Sequence, residues 1–360
     1  MNINELGKAG TSVWLDDLSR SKITGTDSHS LPHRIKHDGV VGVTTNPSIF
    51  GAAITGATEY AADIAAMKGA SVDEVITKLT TDDVRAACDL FTDIYSSTGG
   101  VDGRVSIEVD PRSAHDTAKT VAEGKALYAL VNRPNVMIKV PATLEGLPAI
   151  TELIAEGISV NVTLIFSIER YALVIDAFMK GIEARIAAGK SVSDVHSVAS
   201  FFISRIDTAI DPILKAAGKN ELLGKAAVAN AHLAYELYIS ESTSPRWAAL
   251  ASKGAHMQRP LWASTGVKDP SYEDTRYVIE LVAANCVNTM PQSTLDALID
   301  HGTFRGDTIT SAISQSREDI AAIEAAGVSL AKVTTDLEID GVKKFADAWN
   351  SLLDSVSKAM

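Results

Sequence analysis

Eight short apolar or β-branched runs alternate with longer stretches of helical periodicity along this 360-residue chain. They are Ser12–Asp17, Val40–Thr45, Arg104–Asp110, Asn135–Pro141, Ser159–Phe166, Ser197–Ile203, Arg259–Ser264 and Cys286–Met290. Parallel strands need a long crossover, which a helix supplies, so this alternation is the signature of βαβ units. Eight such units predict an α/β fold of the (β/α)8 type, a closed TIM barrel with additional helices. A doubly wound sheet fits less well, because the chain has neither a Gly-x-Gly-x-x-Gly turn nor a phosphate-cradling P-loop.

The additional helices are expected at definite places. Tyr60–Lys68 and Val72–Ser97 hold more helical pattern than one crossover requires, which predicts an insertion at about 51–100. Ala226–Leu250 adds a helix after the sixth unit, and Ile309–Ala326 with Ile339–Met360 give extra helices at about 305–360. In the last of these Phe345, Trp349, Leu352 and Leu353 form one stripe, read as core rather than partner surface. Ser21–Ser30, rich in Ser, Thr, Gly and Asp, reads as a loop. No stretch reads as a linker, so residues 1–360 are expected to form a single barrel domain.

One residue breaks the pattern of its strand. A parallel strand covered on both faces should be almost wholly apolar, and Val136, Met137, Ile138 and Val140 obey while Lys139 does not. Burying an ammonium without a partner is costly, and a desolvated amine that sheds its proton is a nucleophile able to form a Schiff base with a carbonyl. A strand-end lysine that snorkels to solvent is the alternative reading. The neighbouring strands bear on the choice.

Side chains alternate across a strand, so parity assigns each residue a face. Trp14 and Asp16 oppose Val13 and Leu15; Ser106, Glu108 and Asp110 oppose Val105, Ile107 and Val109. Met137 and Lys139 oppose Val136, Ile138 and Val140; Asn161 and Thr163 oppose Val160, Val162 and Leu164. With the apolar faces against the outer helices, Asp16, Glu108, Lys139, Asn161 and Thr163 all point to the barrel axis near the strand ends, where this fold carries its chemistry. Two carboxylates, a lysine and two hydrogen-bonding groups in one volume favour a catalytic site over a lone structural ion pair. Asn46, in Thr-Thr-Asn-Pro, is equally well a turn initiator or a substrate contact. Phosphate is sought after the later strands, where Arg205, Ser264 and Lys268 are available.

Composition removes other classes. A net charge of −12 speaks against nucleic acid as a partner. No apolar run approaches the ~18 residues of a membrane span, and Met1–Lys8 has no apolar segment behind its charges, so neither membrane nor signal peptide is expected. Cys88 and Cys286 form no CxxC and no Cys/His cluster, which points to a reducing cytoplasm without structural zinc. His33 and His37 can share a helical face, but no third ligand accompanies them.

The motifs together resemble the transaldolase family over nearly the whole chain. Val-Trp-Leu-Asp-Asp-Leu-Ser-Arg, Thr-Thr-Asn-Pro-Ser, Val-Ser-Ile-Glu-Val-Asp, Met-Ile-Lys-Val-Pro-Ala-Thr, Asn-Val-Thr-Leu-Ile-Phe-Ser and Ala-Ser-Phe-Phe-Ile-Ser-Arg occur in the family's order. The chain is similar to the longer bacterial form. The resemblance implies a class I aldolase-type barrel needing no metal or other cofactor, with sugar phosphates as substrates, as a monomer or homodimer. It implies Lys139 as the Schiff-base lysine and Asp16 as the acid/base at the sugar C4 hydroxyl. Glu108 would act through a water held by Thr163 in carbinolamine formation and dehydration. Asn46, Asn161 and Ser200 match contacts to substrate hydroxyls, Arg205 and Ser264 match phosphate contacts, and Lys268 lies in a loop that departs from the commonest family pattern.

The nearest rival is a fructose 6-phosphate aldolase, which resembles transaldolases with Gln at the Glu108 position and Tyr at the Phe202 position. Glu108 and Phe202 favour transfer. A deoxyribose-phosphate aldolase would lack the Thr-Thr-Asn-Pro-Ser stretch. A non-catalytic sugar-phosphate binding protein on the same fold would be expected to have lost Asp16, Glu108 or Lys139, and all are present.

Overall fold

The computed structural model describes residues 3–360; Met1 and Asn2, which begin the segment read above for a leader, lie outside them. All eight expected strands are present: β1 Thr11–Asp16, β2 Gly42–Thr44, β3 Arg104–Glu108, β4 Val136–Pro141, β5 Val160–Ile165, β6 Ser197–Phe202, β7 Arg259–Ala263 and β8 Cys286–Met290. They form a closed, all-parallel barrel in chain order, completed where Thr11 to Leu15 pair with Cys286 to Met290. Closure removes every sheet edge, and the strands bury apolar residues outward against the helices, as Ile138 does beneath Gly124.

The barrel interior is filled in layers. At its N-terminal end Asp102 accepts hydrogen bonds from Ser12 Oγ at 2.7 Å, Trp14 Nε1 at 3.1 Å and Arg259 Nη2 at 2.9 Å. The Trp14 indole lies directly on Gly42; a Cβ there would meet the ring at 2.6 Å, so only glycine fits. Above it, Asn161 donates to Ser106 Oγ at 3.1 Å and accepts from Ser200 Oγ at 2.7 Å. The C-terminal layer carries the ionisable side chains described below.

One parity assignment is overturned. Leu164 was expected on the outer face with Val160 and Val162, but the β5–β6 register shifts between Val162 and Ile165, and Leu164 has a φ of 61°. An irregularity of this kind breaks strict alternation. Leu164 therefore reaches the C-terminal helix, its Cδ2 lying 3.0 Å from where a Cβ on Gly341 would sit.

Between β2 and β3 run helices Pro47–Ile54, Ala61–Ala66, Val72–Leu90 and Thr92–Ser97. The longest opens on a capping box formed by Ser71 and Glu74. The expected loop Ser21–Ser30 is helical at its start, within Arg20–Thr24, because Ser19 Oγ caps the turn by accepting from the Lys22 amide. The final helix spans Leu330–Ala359, beginning well ahead of Ile339. Its buried stripe is Phe345, Trp349, Leu352 and Val356, with Leu353 half-buried beside it, and it packs on Pro47–Ile54, Val72–Leu90 and Ser204–Ala216. The stripe is core, and what it covers is the C-terminal mouth of the barrel. Among the described residues no helix is long and apolar enough to cross a membrane.

Candidate active site at the barrel mouth

Lys139 does not snorkel: it is only 5 % exposed, held among Asp16, Glu108, Thr45 and the ring of Phe345. Its Nζ donates to the Thr45 carbonyl and lies 3.5 Å from Glu108 Oε2. The ammonium thus has a partner, where the strand alone led us to expect an unpaired amine. Register places the two residues side by side, Glu108 of β3 opposite Lys139 of β4. Glu108 Oε1 accepts from Thr163 Oγ1 at 3.3 Å, so the carboxylate joins the lysine to the β5 hydroxyl.

Asp16 ends β1 and accepts from Thr44 Oγ1 at 2.6 Å; Thr44 in turn meets Thr289 Oγ1 of β8 at 2.6 Å. Burial raises the Asp16 carboxyl above its ordinary range, opposed by the charge of Lys139 and by the Thr44 bond. Burial raises Glu108 in the same way, again opposed by Lys139 and by Thr163. Both carboxyls are thus raised by burial and share one opposing neighbour, Lys139. Asp17 points elsewhere, pairing with Lys22 at 3.1 Å, so of the two neighbouring aspartates only Asp16 lines the cavity.

These groups open into a cavity of about 180 Å³ lined by Asp16, Thr44, Asn46, Lys139, Thr163, Ser200, Phe202, Arg205, Ser264, Gly266, Lys268, Thr289 and Phe345, among others. Asn46 Oδ1 caps helix Pro47–Ile54 by accepting from Ile49 N at 3.0 Å, the turn-initiating role, and the residue also lines the cavity. Asn161 is not at the surface of the cavity but fully buried beneath it, its amide bonded to Ser106 and Ser200. Glu108 likewise stands behind Lys139 and Thr163 rather than on the cavity wall. A larger open groove of about 830 Å³ alongside shares Lys268 but none of the axial residues.

At the far end Arg205, in the first turn of helix Ser204–Ala216, stacks its guanidinium 5.2 Å from the Phe202 ring centroid. Its Nη1 is buried without a partner, and desolvation lowers its pKa, opposed by the charge of Asp340. Ser264 has a φ of 55° and its Oγ lies 2.9 Å from Ser204 Oγ. A non-glycine residue held in this left-handed region is backbone strain that the surrounding structure keeps in place. Arg205, Ser264 and Lys268 thus line the same end of the cavity, with the Ser204 hydroxyl on Ser264.

Sequence reasoning missed Thr44, which donates to Asp16, Thr289, which bonds Thr44 in turn, and Phe345, whose ring centroid is 6.0 Å from Lys139 Nζ. Thr44 had a signal, its place at the end of the second run. Phe345 was identified as buried, with nothing in the stripe to say against what. Among the described residues no group of His, Cys, Asp or Glu is arranged to hold a metal ion; the His33 and His37 rings simply pack at 4.5 Å.

The sequence profile of the transaldolase/fructose-6-phosphate aldolase family matches residues 13–356. The chain is 56% identical to transaldolase 1 of Streptomyces avermitilis, covering 100% of this chain and 96% of that protein. It is 56% identical to a transaldolase of Arthrobacter sp. strain FB24, over 99% of this chain and 96% of that one. A transaldolase of Mycolicibacterium smegmatis is 54% identical over 98% and 96% of the two chains. A barrel with a buried lysine between two carboxylates and full-length likeness of this degree lead to one conclusion: the chain belongs to the transaldolase/fructose-6-phosphate aldolase family.

Proposed function

We propose that this chain is a transaldolase that moves a dihydroxyacetone unit from a ketose phosphate to an aldose phosphate through a Schiff base on Lys139. The observation that carries the reading is the Lys139–Glu108–Thr163 chain, 3.5 Å and 3.3 Å across its links, with Asp16 on the same cavity. A lysine ammonium and a ketose carbonyl give an iminium and one water, both oxygen-bound protons coming from nitrogen. Glu108 is within reach of the nitrogen and carries those protons, with Thr163 orienting it. The iminium is then an electron sink. Asp16 takes the C4 hydroxyl proton, the C3–C4 bond breaks, and its electron pair forms an enamine on Lys139 as the aldehyde leaves. Reversal with a second aldose phosphate completes the transfer.

Asn46 and Ser200 hold the hydroxyls of the bound unit, with Asn161 setting Ser200 from below. Arg205, Ser264 and Lys268 hold the phosphate, and Phe202 backs the Arg205 guanidinium. Phe345 and the C-terminal helix exclude bulk water, which favours transfer over hydrolysis of the enamine. The reaction fitting this set is sedoheptulose 7-phosphate with glyceraldehyde 3-phosphate giving erythrose 4-phosphate and fructose 6-phosphate, in the non-oxidative pentose phosphate pathway. The two free thiols, Cys88 and Cys286, are buried, in keeping with a cytoplasmic location. We read residues 1–360 as one domain, because the insertion and the last helix both pack onto the barrel.

The test is borohydride trapping with fructose 6-phosphate followed by peptide mass mapping. A three-carbon adduct on the peptide bearing Lys139, lost in Lys139→Ala, is the expected result; no adduct in the folded parent would overturn the imine mechanism. Adding erythrose 4-phosphate separates the activities: a transferase makes sedoheptulose 7-phosphate, whereas an aldolase releases free dihydroxyacetone.

A further inference from the structure

Behind Glu108 lies a second cavity, of about 20 Å³, enclosed by Asn46, Thr80, Glu108, Glu123, Leu127 and Trp349 among others. Asn46 borders both this space and the reaction cavity, while Lys139 borders only the latter. The volume suits a single water, which needs two to four polar partners to stay. Trp349 is buried and its Nε1 has no partner. An indole N–H can only donate, so it calls for an acceptor, and Trp349 lines this space. Glu123, on helix Thr117–Val131, accepts from the Asp110 amide through Oε1 at 2.8 Å and is half-buried, touching both the cavity and solvent.

We propose that Glu123 is a positioning residue of the transfer reaction, acting through Glu108: one water held by the Trp349 indole links the two carboxyls and lets Glu108 exchange its proton with solvent by a route separate from the substrate mouth. The inference rests on the reading of Glu108 as the group that moves protons during imine formation. With a sugar phosphate in the mouth, bulk water cannot reach Glu108 from the front. Imine formation itself exchanges no net proton with solvent, so the relay acts just before it: a Glu108 that rests as the acid must become carboxylate to take the proton of the lysine nitrogen, and its O–H passes its proton to the water, which passes one of its own to Glu123. Glu108 ends as carboxylate, Glu123 as acid, and the water is unchanged. Glu123 then loses its proton to solvent.

The charges around Glu123 suit this task. They are Glu108 from β3, Asp73 from helix Val72–Leu90, and Asp110 and Arg112 from the turn after β3. Burial pushes the Glu123 carboxyl up to about 7, opposed by the Asp110 amide bond and Arg112 and reinforced by the Asp110 and Asp73 charges. A group near that value both takes and gives a proton at neutral pH.

Rapid-quench borohydride trapping with fructose 6-phosphate, run from acid to alkaline pH on the full chain, tests the relay. Glu123→Gln is expected to slow imine formation about ten-fold, leave KM unchanged, and remove the inflection near neutral pH. Trp349→Phe keeps a smaller aromatic ring but removes the indole N–H, and is expected to slow the same step. Parental rates and pH profile in folded Glu123→Gln would overturn the proposal, as would a slower rate with the inflection intact, which marks a structural role. Should Glu123→Gln fail to fold, Trp349→Phe decides alone: a parental rate overturns the relay. Glu108→Gln is the control. Parental imine formation there removes the reading of Glu108 itself, whereas slow formation there with parental Glu123→Gln removes the relay only.

Discussion

Lys139 Nζ lies 3.5 Å from Glu108 Oε2, across the register pair that joins β4 to β3, and both side chains are almost wholly buried. Each is the other's compensation for leaving water. Lys139→Ala is therefore expected to fold, to lose all borohydride-trappable adduct, and to leave Glu108 with its carboxyl raised further. A raised carboxyl contributes stability below its ordinary value of 4.5 and loses it as pH rises through the folded value. The melting temperature of Lys139→Ala should thus fall further below the parent's at alkaline than at acid pH, with a loss of up to about 3 kcal/mol. A gap independent of pH would show that Glu108 is not the group left uncompensated.

The aspartate doublet separates cleanly in space, and so should its kinetics. Asp16→Ala is expected to lower kcat by about 100-fold or more, the usual worth of a positioned acid/base. Asp17→Ala removes only a partly exposed pair with Lys22, worth about 0–1 kcal/mol of stability, and should leave kcat nearly unchanged. Steady-state rates with circular dichroism as a folding control check both. Equal losses at the two positions would undo the assignment from parity and geometry.

Arg205 holds a buried Nη1 without a partner among the described residues. Removing it should cost little stability, within about 1 kcal/mol for the lost contact with Phe202. Arg205→Ala should instead raise KM for sugar phosphates about 10- to 100-fold, the worth of a hydrogen bond between charged groups. Inorganic phosphate should raise the melting temperature of the parent and not of the variant. A large loss of stability with unchanged KM would make Arg205 structural.

How far the sequence reached depended on which rule applied. Period-two parity aimed Asp16, Glu108, Lys139 and Thr163 at the barrel axis, and all four meet in the structure, Thr163 at the point where the β5–β6 register begins to shift. The same rule failed at Leu164, where a positive φ and a register shift suspend it, and no residue type there announces them. Parity also aimed Asn161 inward correctly but could not say how deep it lay, since depth follows from the stagger of the closed barrel. The Thr44–Thr289 contact joins β2 to β8 across β1 and exists only once the ring closes. Phe345 was legible as buried because its stripe is helical, whereas its place above Lys139 depends on where the helix docks.

At the opposite end of the barrel His196 stacks on His256 at 4.3 Å, with Arg104 and Arg259 nearby. Burial, then the charges of Arg104, His256 and Arg259, drive its pKa from 6.5 down to about 2. An imidazole kept neutral in the folded chain but free to protonate when unfolded stabilises the fold above its ordinary value. That contribution is lost as pH falls through the window from 6.5 towards 2. Denaturant unfolding should show stability decreasing by about 1.4 kcal/mol per pH unit there from this group, and His196→Phe should flatten the slope. Identical slopes would place the acid sensitivity elsewhere.

Helix Leu330–Ala359 follows all eight strands in the chain, yet it supplies Phe345 to the reaction cavity and Trp349 to the space behind Glu108. During synthesis the sheet can therefore close while the roof over Lys139 is still unmade. A nascent barrel has its buried lysine but no cover over it, so the order of translation itself leaves the mouth cavity unfinished until this helix has docked.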